Sequence, residues 1–159
     1  MRKAWLLLLP LALGVTAAEA QRERATPYWA SISATKALMR TGPGRNYPAT
    51  WLYVRPDLPI KVVETYPNWR KVQDPTGETG WMLQRLLSDQ RTAVVTGGEP
   101  RPIHEKAKEG SRIRYRAEPG VVGRISKCAN DWCQFEVGGR QGFVQVAHIW
   151  GVAAGETVD

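Results

Sequence analysis

The chain has 159 residues, 43% of them hydrophobic, and carries 22 Lys and Arg against 15 Asp and Glu, a formal net charge of +7. That length allows one compact domain or two of about 60 residues, with no room for a separate catalytic domain. Beyond the first twenty positions no apolar run approaches membrane-spanning length.

Residues 1–20 read as a cleaved signal peptide. Arg2 and Lys3 form a positive start, Leu6 to Val15 is an apolar run broken only by Pro10 and Gly14, and Ala18-Glu19-Ala20 is a small-x-small cleavage site. The rival reading, an uncleaved anchor, is disfavoured by the short run. Arg2, Lys3 and Glu19 leave with the leader, so the exported part keeps 20 basic and 14 acidic residues, a charge of +6. The basic residues are scattered rather than gathered in a run, so nucleic acid is not an expected partner. The polyanions an exported basic chain meets are cell-wall polymers and membrane surfaces, and after cleavage no stable membrane insertion is expected.

Residues 21–30 are polar and read as a flexible lead-in. From there short β-rich runs alternate with turn signals every eight to twelve residues, the pattern of small all-β barrels or sandwiches. Expected strands in residues 31–90 are Lys36–Arg40, Trp51–Val54, Ile60–Tyr66, Arg70–Gln73 and Thr79–Leu83, with a single helical or 3₁₀ turn near Leu83–Leu87. In residues 91–152 they are Arg91–Val95, Ser111–Tyr115, Val121–Lys127, Trp132–Val137 and Gln141–Val146. Thr96–Pro102 reads as a linker or exposed loop, Ile103–Gly110 as a helical turn or irregular loop, and 153–159 as a frayed tail. Were Arg112-Ile-Arg114-Tyr-Arg116 a regular strand, its three arginines would share one face.

An internal repeat divides the chain. Trp69 is followed eleven positions later by Gly80-Trp81 and then by Leu87. Trp132 is followed ten positions later by Gly142-Phe143 and then by Ile149, the second interval being seven in each copy. A repeated unit present twice means two small domains in tandem. Val62, Val72 and Trp81, or their immediate neighbours, are the expected inward residues of the first unit. Ile125, Phe135, Phe143 and Ile149 are their equivalents in the second. A Gly before each aromatic fits a position where a Cβ would clash.

Cys128 and Cys133 are the only cysteines. With Asn130-Asp131 turn chemistry between them they can face each other on adjacent antiparallel strands, and export favours a disulfide. A zinc site would need four ligands, and His104 and His148 at these spacings match poorly. A redox pair would want C-x-x-C, and a cysteine nucleophile based by His148 would be quenched by its neighbour. No metal or cofactor signature stands out, and no Ser/His/Asp or paired-Glu set suggests catalysis.

The sequence resembles bacterial Src-homology-3-like (SH3b) domains in tandem, of the type found in exported alphaproteobacterial proteins. The resemblance rests on Leu38-Met-Arg40-Thr-Gly42-Pro43-Gly44, Tyr47-Pro48, Trp69-Arg-Lys-Val72 and Gly80-Trp81 in the first unit. In the second it rests on Ala117-Glu118-Pro119-Gly120, Cys128 to Trp132-Cys133, Gly142-Phe143 and Ile149-Trp150-Gly151. Ala37 stands where the family usually has Asn, and Phe143 where it usually has Trp. The resemblance implies two five-stranded, partly open barrels and a non-catalytic module in the periplasm or outside the cell. It would bind peptidoglycan or another peptide or protein of the envelope. The alternatives are a scaffolding protein of the envelope or an accessory of a wall hydrolase. Trp51, Tyr53, Tyr66, Trp69 and Trp81 are candidates to line an aromatic groove, with Tyr47 beside a turn and Arg40 and Arg45 placed to meet carboxylates. For Trp69, Trp81 and Trp132, packing is the favoured alternative.

Overall fold

The computed structural model describes residues 24–159, so the expected leader lies outside the described residues. The first unit is one seven-stranded antiparallel sheet: β1 (Tyr28–Ile32), β2 (Ala37–Arg40), β3 (Ala49–Tyr53), β4 (Pro59–Tyr66), β5 (Trp69–Gln73), β6 (Thr79–Leu83) and β7 (Leu87–Ser88). The second repeats it as β8 (Thr92–Val95), β9 (Arg101–His104), β10 (Ile113–Ala117), β11 (Val122–Ala129), β12 (Trp132–Val137), β13 (Arg140–Gln145) and β14 (Ile149–Trp150). The spatial orders, β3-β2-β6-β5-β4-β1-β7 and β10-β9-β13-β12-β11-β8-β14, are the same order seven strands apart. A 3₁₀ turn, Gln84–Leu86 or Val146–His148, precedes the last strand of each.

The five strands expected of each barrel are exceeded. In the first unit β2–β6 match the expected runs, and β1 and the two-residue β7 add to them. Tyr28–Ile32 pairs with β4 and β7, so the segment expected to be loose up to residue 30 is already sheet from Tyr28. In the second unit β9 forms where a linker and a loop were expected. Its Pro102 and flanking charges hid the strand, which holds β13 through one register pair, His104 with Phe143. The three arginines of 112–116 do not form one regular face. Arg112 precedes β10, and a bulge between Ile113 and Tyr115 interrupts the alternation.

Each sheet curls around its own core. Residues from β1, β2, β4, β5 and β6 meet in the first, among them Ile32, Met39, Val62, Val72 and Met82. Val95, Ile103, Ile125, Phe135 and Val144 meet in the second. Side chains alternate between faces along a strand, and in each copy the Gly holds an inward position. Met82 and Val144, two residues on, are therefore the core residues, and Trp81 and Phe143 fall on the outer face. In the first unit the inward residue is Met82, the neighbour of Trp81, and in the second the expectation that Phe143 points inward is corrected.

The glycines mark where β6 and β13 meet β2 and β9. A Cβ on Gly80 would stand 2.8 Å from the Arg40 carbonyl oxygen, and one on Gly142 2.8 Å from that of His104. Neither glycine has positive φ, so the requirement is space and not conformation.

Cys128 and Cys133 are joined by a disulfide and stand opposite each other in register with Cα atoms 4.1 Å apart. The turn is tighter than the four residues between them: Ala129 pairs with Trp132, leaving a two-residue loop of Asn130 (φ 51°) and Asp131 (φ 61°). Two left-handed residues make the hairpin turn whose twist matches its strands, which Asn and Asp tolerate.

The tail is held rather than frayed. Val158 exchanges backbone hydrogen bonds with Cys128 at 2.9 and 3.1 Å. Glu156 accepts from Arg91 at 2.7 Å and from the Ala153 amide at 2.8 Å. Burial alone would raise the Glu156 carboxyl's pKa, but the Arg91 and Ala153 hydrogen bonds, the Arg91 charge and the Trp29 indole hold it below its ordinary value. Trp29 of β1 meets Trp150 of β14 edge to face, with centroids 4.7 Å apart. Arg55 donates to the Gly120 carbonyl at 2.8 Å. These contacts fasten the two barrels together.

Gly80→Ala and Gly142→Ala are each expected to destabilise their barrel by about 1–3 kcal/mol through overpacking against backbone, read as a lower urea midpoint. Reducing the disulfide should cost about 2 kcal/mol on the chain-entropy account of so short a loop. An unchanged melting temperature under reductant would show that the crosslink adds no stability.

Candidate functional site

Strand register gathers four of the eight candidate residues, Arg40, Tyr66, Trp69 and Trp81, on the outer face of the first barrel. Trp81 lies opposite Arg40 on one side and Lys71 on the other. Trp69 lies opposite Tyr66 and Leu83. Tyr66 and Trp81 meet edge to face with centroids 6.3 Å apart. Trp69 and Trp81 are each only 8% exposed whereas Tyr66 is 52% exposed. The two indoles are therefore packing residues first, and the tyrosine presents the open aromatic surface.

The loop between β2 and β3 brings in two more. Arg40 donates to the Tyr47 carbonyl at 2.7 Å, and the Tyr47 ring lies directly over Gly42, leaving no space there for a Cβ. Exposed Arg45 reaches the rim of a cavity of about 750 Å³ that Trp69 also lines. Tyr28, Asn68, Arg70, Leu83, Arg85 and Asp89 contribute further walls. Arg70 is buried and donates to the Tyr28 hydroxyl at 3.2 Å and to the Tyr66 and Trp69 carbonyls at 3.1 and 2.7 Å. It thus fixes β1 and the β4–β5 turn as cavity walls. Asp89 is met by Arg24 at 3.3 Å, which leaves Arg45 and Arg85 as the cations at the opening.

Two candidates lie apart. Trp51 is 51% exposed on β3, opposite core residue Met39. Tyr53 turns away from the groove and donates its hydroxyl to Asp74 at 2.9 Å. Asp74 also accepts from the Thr76 and Glu78 amides at 2.9 and 3.0 Å, so Tyr53 ties β3 to the turn between β5 and β6. Burial first, then the hydrogen bond to Asp74 and the charges of Asp74 and Glu78, push the Tyr53 phenol well above its ordinary value. Sequence reasoning missed Tyr28, hidden in the supposed lead-in, and Arg85, hidden in the 3₁₀ turn.

Among the described residues no three His, Cys, Asp or Glu side chains come together as a metal set, and no helix is long and apolar enough to cross a membrane.

The profile of the bacterial SH3 domain matches twice, over residues 33–89 and 98–151. The chain belongs to the bacterial SH3 domain family. Among curated proteins none matches the sequence. Solved structures with some likeness include an NlpC/P60 family protein from Bacillus cereus ATCC 10987, at 12% identity and a TM-score of 0.36 over 77% of this chain and 56% of that one. NlpC2 and NlpC1 from Trichomonas vaginalis follow, each at 11% identity, with TM-scores of 0.35 and 0.34. They are covered over 49% and 48% of their length by 80% and 82% of this chain. The chain thus spans about half the length of these structures.

In an SH3 barrel of this family Tyr53 acts as a brace. Its unfolded phenol ionises at about pH 10 and the folded one at higher pH, so its contribution is complete below pH 10 and fades as pH rises beyond it. Tyr53→Phe is expected to lower stability at neutral pH by about 1 kcal/mol and to make the alkaline decline shallower. Melting curves from neutral to alkaline pH test this, and an unchanged alkaline slope would refute it.

Proposed function

We propose that the chain is a non-catalytic, exported binding module of the cell envelope. Its first barrel takes a short peptide, such as a peptidoglycan stem, in the cavity beside Trp69. The observation that carries this reading is the cavity itself. Its volume of about 750 Å³ is within the range of ligand sites, Trp69 forms part of one wall, and Arg45 and Arg85, in no ion pair among the described residues, stand at the opening. Arginine forks pair with carboxylates in two parallel hydrogen bonds, and short wall peptides end in carboxylates. Tyr66 beyond the rim extends the surface for a longer chain. The disulfide and the leader-like first twenty residues support an extracytoplasmic location, where thiols oxidise.

A second reading, a protein partner, is favoured by β3. This edge strand pairs only with β2 and exposes Trp51 by 51%, Leu52 by 53% and, just beyond it, Val54 by 65%. An extended protein segment could add to such an edge.

Retention on purified peptidoglycan separates the readings. The full chain is expected to stay bound at about 1 M salt, where screening acts within about 3 Å. Arg45→Ser with Arg85→Ser should release it while the melting temperature stays unchanged. Release of the unaltered protein at modest salt would reduce the reading to bulk charge, and absence of retention would favour the protein partner.

A further inference from the structure

The second barrel carries a cavity in the same place as the first, with different chemistry. Trp132 lies opposite Gln145 as Trp69 lies opposite Leu83. The Val146 amide donates to the Asp131 carbonyl at 2.9 Å as the Gln84 amide donates to that of Asn68 at 2.9 Å. A 3₁₀ turn follows in each. The resulting cavity, of about 540 Å³, is lined by Trp132, Asp131 and Gln145 and by the aliphatic groups of Val146, Ala147 and Val152.

Position by position, the duplicate has lost its cations. Ala147 stands where Arg85 does, Val146 where Gln84 does and Asp131 where Asn68 does, and no arginine lines the walls. The Trp132 ring is steadied by His104, at right angles and 5.2 Å between centroids, while His104 is itself buried against the Ser111 carbonyl at 3.0 Å. The tail supplies one wall, and it is pinned by Glu156 on Arg91 and Val158 on Cys128. The Asp131 carboxylate is exposed, and among the described residues no cation lies within ion-pair distance of it.

We infer that this cavity is a second ligand site, taking a primary ammonium group on an aliphatic stem, such as the side chain of a lysine-type residue in a peptide. An indole face attracts an ammonium, the carboxylate supplies the counter-charge, and the aliphatic walls cover the methylene stem. The two barrels would then divide one peptide's chemistry, carboxylate to the first and ammonium to the second. The site itself does not depend on the first barrel binding anything.

The test uses the ¹⁵N-labelled full chain titrated with Nα-acetyl-lysine amide and, separately, with the same compound acetylated on its side-chain nitrogen. The charged probe is expected to shift the Trp132 indole and the Gln145 and Val146 amides, whereas the neutral one leaves them in place. Asp131→Asn keeps a residue that tolerates the left-handed turn, and should weaken binding roughly two- to fivefold, the worth of an exposed ion pair. No shift at Trp132, equal shifts with the neutral probe, or unchanged affinity in Asp131→Asn would each overturn the inference. The Trp69 indole in the same spectra reports on the first barrel independently, so failure of one site is distinguishable from failure of the other.

Discussion

Two strands can come close enough to close these barrels only where one of them has no side chain, and the fold depends on that contact. At Gly80 the β6 backbone passes the Arg40 carbonyl with no room for a Cβ, and at Gly142 the β13 backbone passes that of His104 in the same way. The approach sets the parity of everything after it. With Gly80 inward, Met82 enters the core and Trp81 is turned onto the outer face between Arg40 and Lys71. One steric constraint therefore closes the sheet and places an aromatic outside it.

A barrel of about 60 residues buries a modest share of its surface and has little stability to spare. Here the two copies support each other. Trp29 of the first packs on Trp150 of the second, and Arg55 of the first donates to the Gly120 carbonyl of the second at 2.8 Å. The copies have also diverged in their internal supports. The first spends a buried Arg70 on the turn and on Tyr28, whereas at the same register the second has Cys133, crosslinked to Cys128. A guanidinium with several carbonyl partners and a covalent bond are alternative ways to hold the same β-turn.

Much of this was legible in the sequence because it is local. The Trp–Gly–aliphatic spacing located both copies, the Asn130-Asp131 turn brought the cysteines together, and Pro- and Gly-rich punctuation placed β2 to β6. What was not legible depends on partners far along the chain. Tyr28–Ile32 holds strand formers but abuts a polar lead-in, and its start at Tyr28 is set by β4 and β7 on either side of it. Arg101–His104 carries a proline that argues against sheet, yet sits between β10 and β13. The outward turn of Trp81 and Phe143 follows from period two counted from the glycine, which the composition of the motif alone does not reveal. Of the candidate residues, Arg40, Arg45, Tyr47, Tyr66, Trp69 and Trp81 come together, while Tyr53 was aromatic and polar for a structural reason, its bond to Asp74.

Duplication also explains why burial and binding need not compete for the same tryptophan. Trp69 is 8% exposed, so most of its surface serves packing, and its remaining edge lines a cavity whose polarity is set by residues around it. Those residues sit in the turn after β4 and the 3₁₀ turn after β6, and in the duplicate the turn after β11 and the 3₁₀ turn after β13. Here side chains change without disturbing the core. The indole is thus retained at Trp132 while Arg85 gives way to Ala147 and Asn68 to Asp131. The Trp29–Trp150 contact and the Arg55–Gly120 hydrogen bond join the barrels that carry the two cavities. A ligand spanning both would gain from the second contact only if its own spacing matched theirs, so the proposed division of charge between the barrels carries a requirement on ligand length as well.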